Sequence, residues 1–115
     1  MPVIWGVMNI KVKLVMAGPN SNKCNEYVRV RVLVSGRVQG VGFRNFAARY
    51  GNALKLTGRV KNLHDGSVEV IAEGKRKEIS EYIDLLKKGP IWARIDNMLI
   101  DWQQYKGDFT FFGVQ

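Results

Sequence analysis

From Tyr27 to Val34 the chain reads YVRVRVLV. Val28, Val30, Val32 and Val34 fall on one face, Arg29 and Arg31 on the other, and a β-branched set of period two is the pattern of a half-buried strand. It ends at Ser35 and Gly36. A glycine-rich stretch then leads into Phe43, Phe46, Ala47, Tyr50, Ala53 and Leu54, whose spacing of three and four marks one face of a helix. A strand, a glycine loop and a helix therefore follow one another.

Two further strands, about Thr57 to Leu63 and Ser67 to Glu73, flank His64-Asp65-Gly66, where Asp-Gly is a hairpin-turn signal. Ile79, Tyr82, Ile83 and Leu86 repeat at helical spacing, and Lys87, Lys88, Gly89 and Pro90 close that helix in the preferred order. Ile91 to Trp102 is strand-prone, and a short strand near Phe109 to Val114 follows the Lys106-Gly107-Asp108 turn. The order β-α-β-β-α-β plus a closing strand is that of an α+β, ferredoxin-like split βαβ sandwich, an antiparallel sheet with two helices on one face. Many functions share this plan, so function has to be argued from a site.

At 115 residues the chain has room for one modest core. Ahead of it, Ile10, Val12, Leu14 and Met16 alternate with Lys11 and Lys13, and Ala17 to Asn25 is a polar, turn-rich linker. Residues 1–25 read as an appendage able to add an edge strand or mediate pairing, and residues 26–115 as the domain. Met8 and Met16 each offer an alternative translation start. Lys11 and Lys13 interrupt the apolar N-terminus too early for a membrane span. Cys24 is the sole cysteine, which excludes an intrachain disulfide and a thiolate zinc site. A soluble cytoplasmic protein with no membrane partner is expected.

The net charge of +8 would draw phosphates, nucleic acid or an anionic surface, and cannot choose among them. The segment Gly36 to Arg44 is more selective. Three glycines between a strand and a helix let successive amides turn toward one point, and the helix start and Arg44 add positive charge suited to a phosphoryl group. The plain alternative is a flexible turn with a solvated arginine. A Walker A loop and a dinucleotide fingerprint are both excluded by the glycine spacing and by the missing Gly-Lys-Ser/Thr.

Gly36-x-Val38-Gln39-Gly40-Val41-x-Phe43-Arg44 resembles the first acylphosphatase signature. Gly58-x-Val60-Lys61-Asn62-x-x-x-Gly66-x-Val68, continued to Gly74, resembles the second. The likeness runs from about Tyr27 to Val114 and includes Gly89-Pro90 before Ala93 and Ile95. It implies a metal-independent, cofactor-free hydrolase that splits acyl phosphates into carboxylate and phosphate by in-line attack of an oriented water. It further implies a phosphate-binding loop of Gln39, Gly40, Val41, Gly42 and Phe43, with Arg44 as the substrate-binding arginine and Asn62 as the residue that holds the water. The implied partner is a small acyl phosphate, with inorganic phosphate or sulfate able to occupy the loop, no specific nucleic acid, and a monomer as the favoured state.

Two residues depart from the family pattern. Arg59 replaces the usual aromatic, either widening the basic surface or standing as a solvated strand charge. Lys55 replaces the helix-ending glycine, so the helix ends by another route or bears strain. His64, the only histidine, reads as a solvated turn residue, and no metal is expected. Three other functions compete. An RNA-binding module lacks stacking aromatics on Val68 to Ala72. A non-catalytic anion sensor would not need both Arg44 and Asn62. Docking on acidic partners through Trp92, Trp102 or Phe112 competes with burial of those aromatics in the core.

Overall fold

The computed structural model describes residues 24–115 and, before them, the backbone of two short strands, β1 (Ile4–Trp5) and β2 (Lys11–Leu14). Ile10, Met16 and the linker as far as Lys23 lie outside the described residues. The elements that follow are β3 (Tyr27–Arg37), α1 (Phe43–Ala53), β4 (Thr57–Asn62), β5 (Val68–Lys75), α2 (Arg76–Lys88), β6 (Arg94–Gln104) and β7 (Phe112–Val114).

These strands form one sheet in the order β1-β2-β6-β3-β5-β4-β7. Its centre is antiparallel: β3 lies between β5 and β6, and β4 pairs with β5. Pairing at both margins includes a parallel ladder, β2 with β6 and β4 with β7. Lys11 to Leu14 thus line up with Asn97 to Ile100, so the N-terminal segment joins the same sheet.

The valines read from the sequence as one face are all buried, and they meet Phe43 and Ala47 of α1 and Ile79, Tyr82, Ile83 and Leu86 of α2. Tyr82 carries a polar group into this core and satisfies it by donating its hydroxyl to the Ala47 carbonyl at 2.7 Å. Burial pushes its pKa well above the ordinary value of 10.0, as expected for a phenol removed from water. Gly58 of β4 is tightly enclosed, and a Cβ there would collide with the Ile71 carbonyl oxygen of β5.

Helix ends follow local chemistry. Lys75, preceding α2, offers no side-chain cap; the carbonyls of Glu26 and Cys24 accept from the Arg76 and Lys77 amides at 2.9 and 3.1 Å instead. Beyond α1, Lys55 takes a left-handed φ of 60°. The Leu56 amide reaches the Gly51 carbonyl at 2.9 Å and the Lys55 amide reaches Asn52 at 3.0 Å. That is a Schellman ending with lysine at the position that favours glycine, so the helix keeps the usual exit and bears the strain.

Each of the last two strands starts later than the sequence suggested. Ile91 and Trp92 precede β6 at the tip of a turn closed by the Ala93 amide on the Pro90 carbonyl at 3.0 Å. β7 starts at Phe112 rather than Phe109 because the preceding loop is held elsewhere. The amides of Lys106, Gly107 and Asp108 all donate to the buried Glu73 carboxylate, at 2.8, 3.2 and 3.1 Å. Arg29 supplies Glu73 with a counter-charge at 3.4 Å. Among the aromatics in question, Phe112 is buried against Tyr82, and Trp102 is half-buried beneath the Arg76 guanidinium. Trp92 is exposed, so the core expectation fails for it alone. No described helix is long and apolar enough to cross a membrane.

The strand directions collect three connections at one end of the sheet. These are the loop from β3 to α1, the hairpin from β4 to β5, and the turn from α2 to β6.

Candidate active site

The loop Val38 to Gly42 leaves β3 at this end and turns into α1. Gly40 and Gly42 have φ of 73° and 81°, the left-handed region that side chains other than glycine adopt only at a cost. A Cβ at either would meet nothing within 4 Å, so the need for glycine here is conformational rather than steric. Helix α1 starts with the Phe46 amide on the Gly42 carbonyl at 3.0 Å. Its first-turn amides lack helical acceptors, as at any helix start, and no acidic residue in that turn offsets their positive field.

Arg44 stands in that first turn. Its Nη1 donates to the backbone oxygen of Gln115 at 2.8 Å, just beyond β7, which holds the side chain beside the loop. Asn62 comes from the other direction, as the last residue of β4. Behind it the hairpin is closed by the Leu63 amide on the Ser67 carbonyl at 2.8 Å and by the Asp65 carboxylate, which accepts from the amide and hydroxyl of Ser67. Those Ser67 bonds, the hydroxyl's first, hold the Asp65 carboxyl below its ordinary value. The hairpin therefore presents Asn62 on a fixed base.

Val38, Gly40, Gly42, Phe43, Arg44, Asn45 and Asn62 line one pocket of about 240 Å³. The structure thus brings Gly40, Gly42, Phe43, Arg44 and Asn62 into one lining. Gln39 and Val41 are not among the lining residues. The Gln39 side chain points to the hairpin, where Nε2 donates to the carbonyls of Leu63 and Ser67 at 2.8 and 2.9 Å. Two lining residues were not foreseen. Val38 roots the loop in the core, and Asn45 follows Arg44 into the helix start, where its place beside Arg44 was the available signal.

Chemically the lining joins a glycine loop at a helix start, the guanidinium of Arg44 and the neutral side-chain amides of Asn45 and Asn62. Among the described residues of its lining, Arg44 is the one ionisable side chain. The acylphosphatase family model matches residues 30–114.

The chain belongs to the acylphosphatase family. It is 48% identical over 89 residues to an acylphosphatase of Caldivirga maquilingensis, an alignment covering 76% of this chain and 94% of the relative. To an acylphosphatase of Syntrophotalea carbinolica it is 46% identical over 88 residues, covering 76% and 96%. The crystal structure of acylphosphatase from Bacillus subtilis matches at 32% identity with a TM-score of 0.74, over 76% of this chain and 98% of that one. Acylphosphatases are hydrolases that act on acyl phosphates. Both strands before Cys24 lie outside the region matched by the family model.

The departures from the acylphosphatase pattern now have places. Arg59 neither widens the pocket nor stands solvated; its Nη1 binds Glu69 Oε1 at 3.0 Å on the sheet face opposite the helices. Arg31 Nε binds the other oxygen at 2.7 Å, and Lys61 Nζ lies 3.9 Å away. Burial pushes the Glu69 carboxyl upward, but the bond and charge of Arg31, then those of Arg59, outweigh it and hold it below the usual 4.5. His64 is exposed in the hairpin turn. Among the described residues no three His, Cys, Asp or Glu side chains converge on one point.

Proposed function

We propose that this chain hydrolyses the carboxyl–phosphate bond of small acyl phosphates, with the phosphoryl group over the amides of Gln39 to Phe43 and Arg44 across its equatorial oxygens. One observation carries the reading: Arg44 from α1 and Asn62 from β4 line the same pocket as Gly40 and Gly42. Gln39 and Val41 contribute through their backbone amides, and the Gln39 side chain braces the loop.

An acyl phosphate carries its own leaving group, a carboxylate that departs without protonation. Positioning of water and neutralisation of the phosphoryl oxygens then suffice. The Asn62 amide does not titrate, yet its oxygen accepts a hydrogen bond from water and fixes the direction of attack. The water oxygen bonds to phosphorus as the bond from phosphorus to the acyl oxygen breaks, the electron pair leaving with the carboxylate. A water proton passes to a non-bridging phosphate oxygen, giving carboxylate and dihydrogen phosphate. Guanidinium and amides supply the positive charge, so the step uses no metal or cofactor. Arg44 and Asn62 of the same chain line the pocket, which favours a monomer, and inorganic phosphate competes with the substrate for the loop.

Turnover of benzoyl phosphate in ¹⁸O-labelled water with a chelator present tests this route. Attack at phosphorus puts one solvent oxygen in the phosphate and none in the benzoate. Label in the benzoate would place attack at the carbonyl carbon and overturn the mechanism, and loss of turnover with the chelator would overturn metal independence.

A further inference from the structure

The turn between α2 and β6 carries its apolar residues the wrong way round for a soluble turn. Turn tips favour Gly, Pro, Asn, Asp and Ser, yet Ile91 and Trp92 occupy the two central positions here and are 88% and 74% exposed. They project from the same end of the fold as the Arg44 pocket, since Gly36 and Arg37 of β3 pair with Ile95 and Arg94 of β6. They do not line that pocket. A convex apolar tip gains from entering an apolar medium rather than from holding a small molecule.

Cations surround the tip. Lys88 ends α2 on one side and Arg94 opens β6 on the other, both exposed. Arg37 is exposed as well and sits directly opposite Arg94 in the ladder. Like charges in that relation repel, and Asp96, bound to Arg94 Nε at 3.2 Å, offsets only part of this. An anionic surface laid over the turn would relieve the repulsion while the indole and the isoleucine side chain enter the headgroup region, where Trp is favoured. The net charge of +8 acts in the same direction at longer range.

We propose that Ile91 and Trp92, ringed by Arg37, Lys88 and Arg94, form a shallow anchor that seats this protein on an anionic lipid bilayer with its phosphate pocket facing the membrane end. The contact is peripheral and reversible and involves no spanning segment.

Co-sedimentation with vesicles tests the proposal, using phosphatidylcholine alone and phosphatidylcholine mixed with phosphatidylserine. Wild-type protein is expected to sediment with the mixed vesicles, to stay in solution with phosphatidylcholine alone, and to be released as salt rises. The Ile91→Ser/Trp92→Ser double variant is expected to partition about tenfold more weakly or less, with unchanged circular dichroism and unchanged turnover of soluble benzoyl phosphate. Failure of the wild type to sediment with the mixed vesicles would overturn the proposal. Equal sedimentation of wild type and folded double variant would also overturn it, assigning the binding to general basic charge. Binding is read without turnover, so its failure leaves the hydrolase assignment untouched.

Discussion

The side-chain amide of Gln39 donates to the backbone carbonyl of Leu63 at 2.8 Å. This ties the glycine loop, whose amides we propose to hold the phosphoryl group, to the hairpin that presents Asn62, and the second Nε2 bond, to Ser67 at 2.9 Å, doubles the tie. The residue that makes this tie does not itself line the pocket.

Gln39→Ala should therefore fold and still bind phosphate, but with the loop and Asn62 no longer in register. We expect kcat/KM to fall roughly 10- to 100-fold, the scale on which small misplacements act. Gln39→Glu should lose more, because a carboxylate would face two carbonyl oxygens with nothing to donate. Steady-state kinetics with benzoyl phosphate decides the matter, and a Gln39→Ala enzyme with wild-type kcat/KM would contradict this role.

Lys55 holds a left-handed φ of 60° at the end of α1. Replacing it by glycine removes a Cβ clash without disturbing the two closing hydrogen bonds. Lys55→Gly is expected to raise stability by about 0.5–1 kcal/mol, read as a higher urea midpoint at constant slope. Lys55→Ala keeps the Cβ and should gain nothing. Equal midpoints for the glycine and alanine variants would show that backbone strain is not the cause.

Glu69 links stability to acid. Its carboxyl has a lower pKa folded than unfolded, so the folded state binds fewer protons. The contribution is complete above the usual 4.5 and is lost as pH falls through the folded value. Glu69→Gln should cost roughly 1–2 kcal/mol at neutral pH, because Arg31 and Arg59 lose their shared partner. It should also show a shallower fall in stability on the acid side. Parallel acid limbs in urea titrations of the two proteins would rule out Glu69 as the titrating group.

Much of this was legible in the chain. The period-two valines fixed the inner face of β3, the spacing from Ile79 to Leu86 fixed the buried face of α2, and the two glycine motifs singled out Arg44 and Asn62, which line one pocket. Pairing across the sheet was not legible. That Arg59 meets Glu69 depends on the register of β4 against β5, with Lys61 directly opposite Glu69, and no local pattern encodes it. The same holds for Glu73, whose hold on the amides of Lys106 to Asp108 shortens β7. It holds too for Gln39, whose place in the loop motif suggested phosphate while its side chain serves the hairpin. At Trp92 periodicity misled, since a strand-prone run from Ile91 to Trp102 does not reveal that its first residues sit in a turn.

Release of inorganic phosphate from benzoyl or acetyl phosphate by wild type, Arg44→Ala and Asn62→Ala, each checked for folding by circular dichroism, decides whether this pocket hydrolyses acyl phosphates. Turnover by the wild type and at least about a hundredfold loss in each variant are expected. Weaker phosphate affinity should dominate in Arg44→Ala, and a slower chemical step in Asn62→Ala. A folded wild type that releases no phosphate, or variants that turn over at the wild-type rate, would rule out hydrolysis by Arg44 and Asn62 in this pocket.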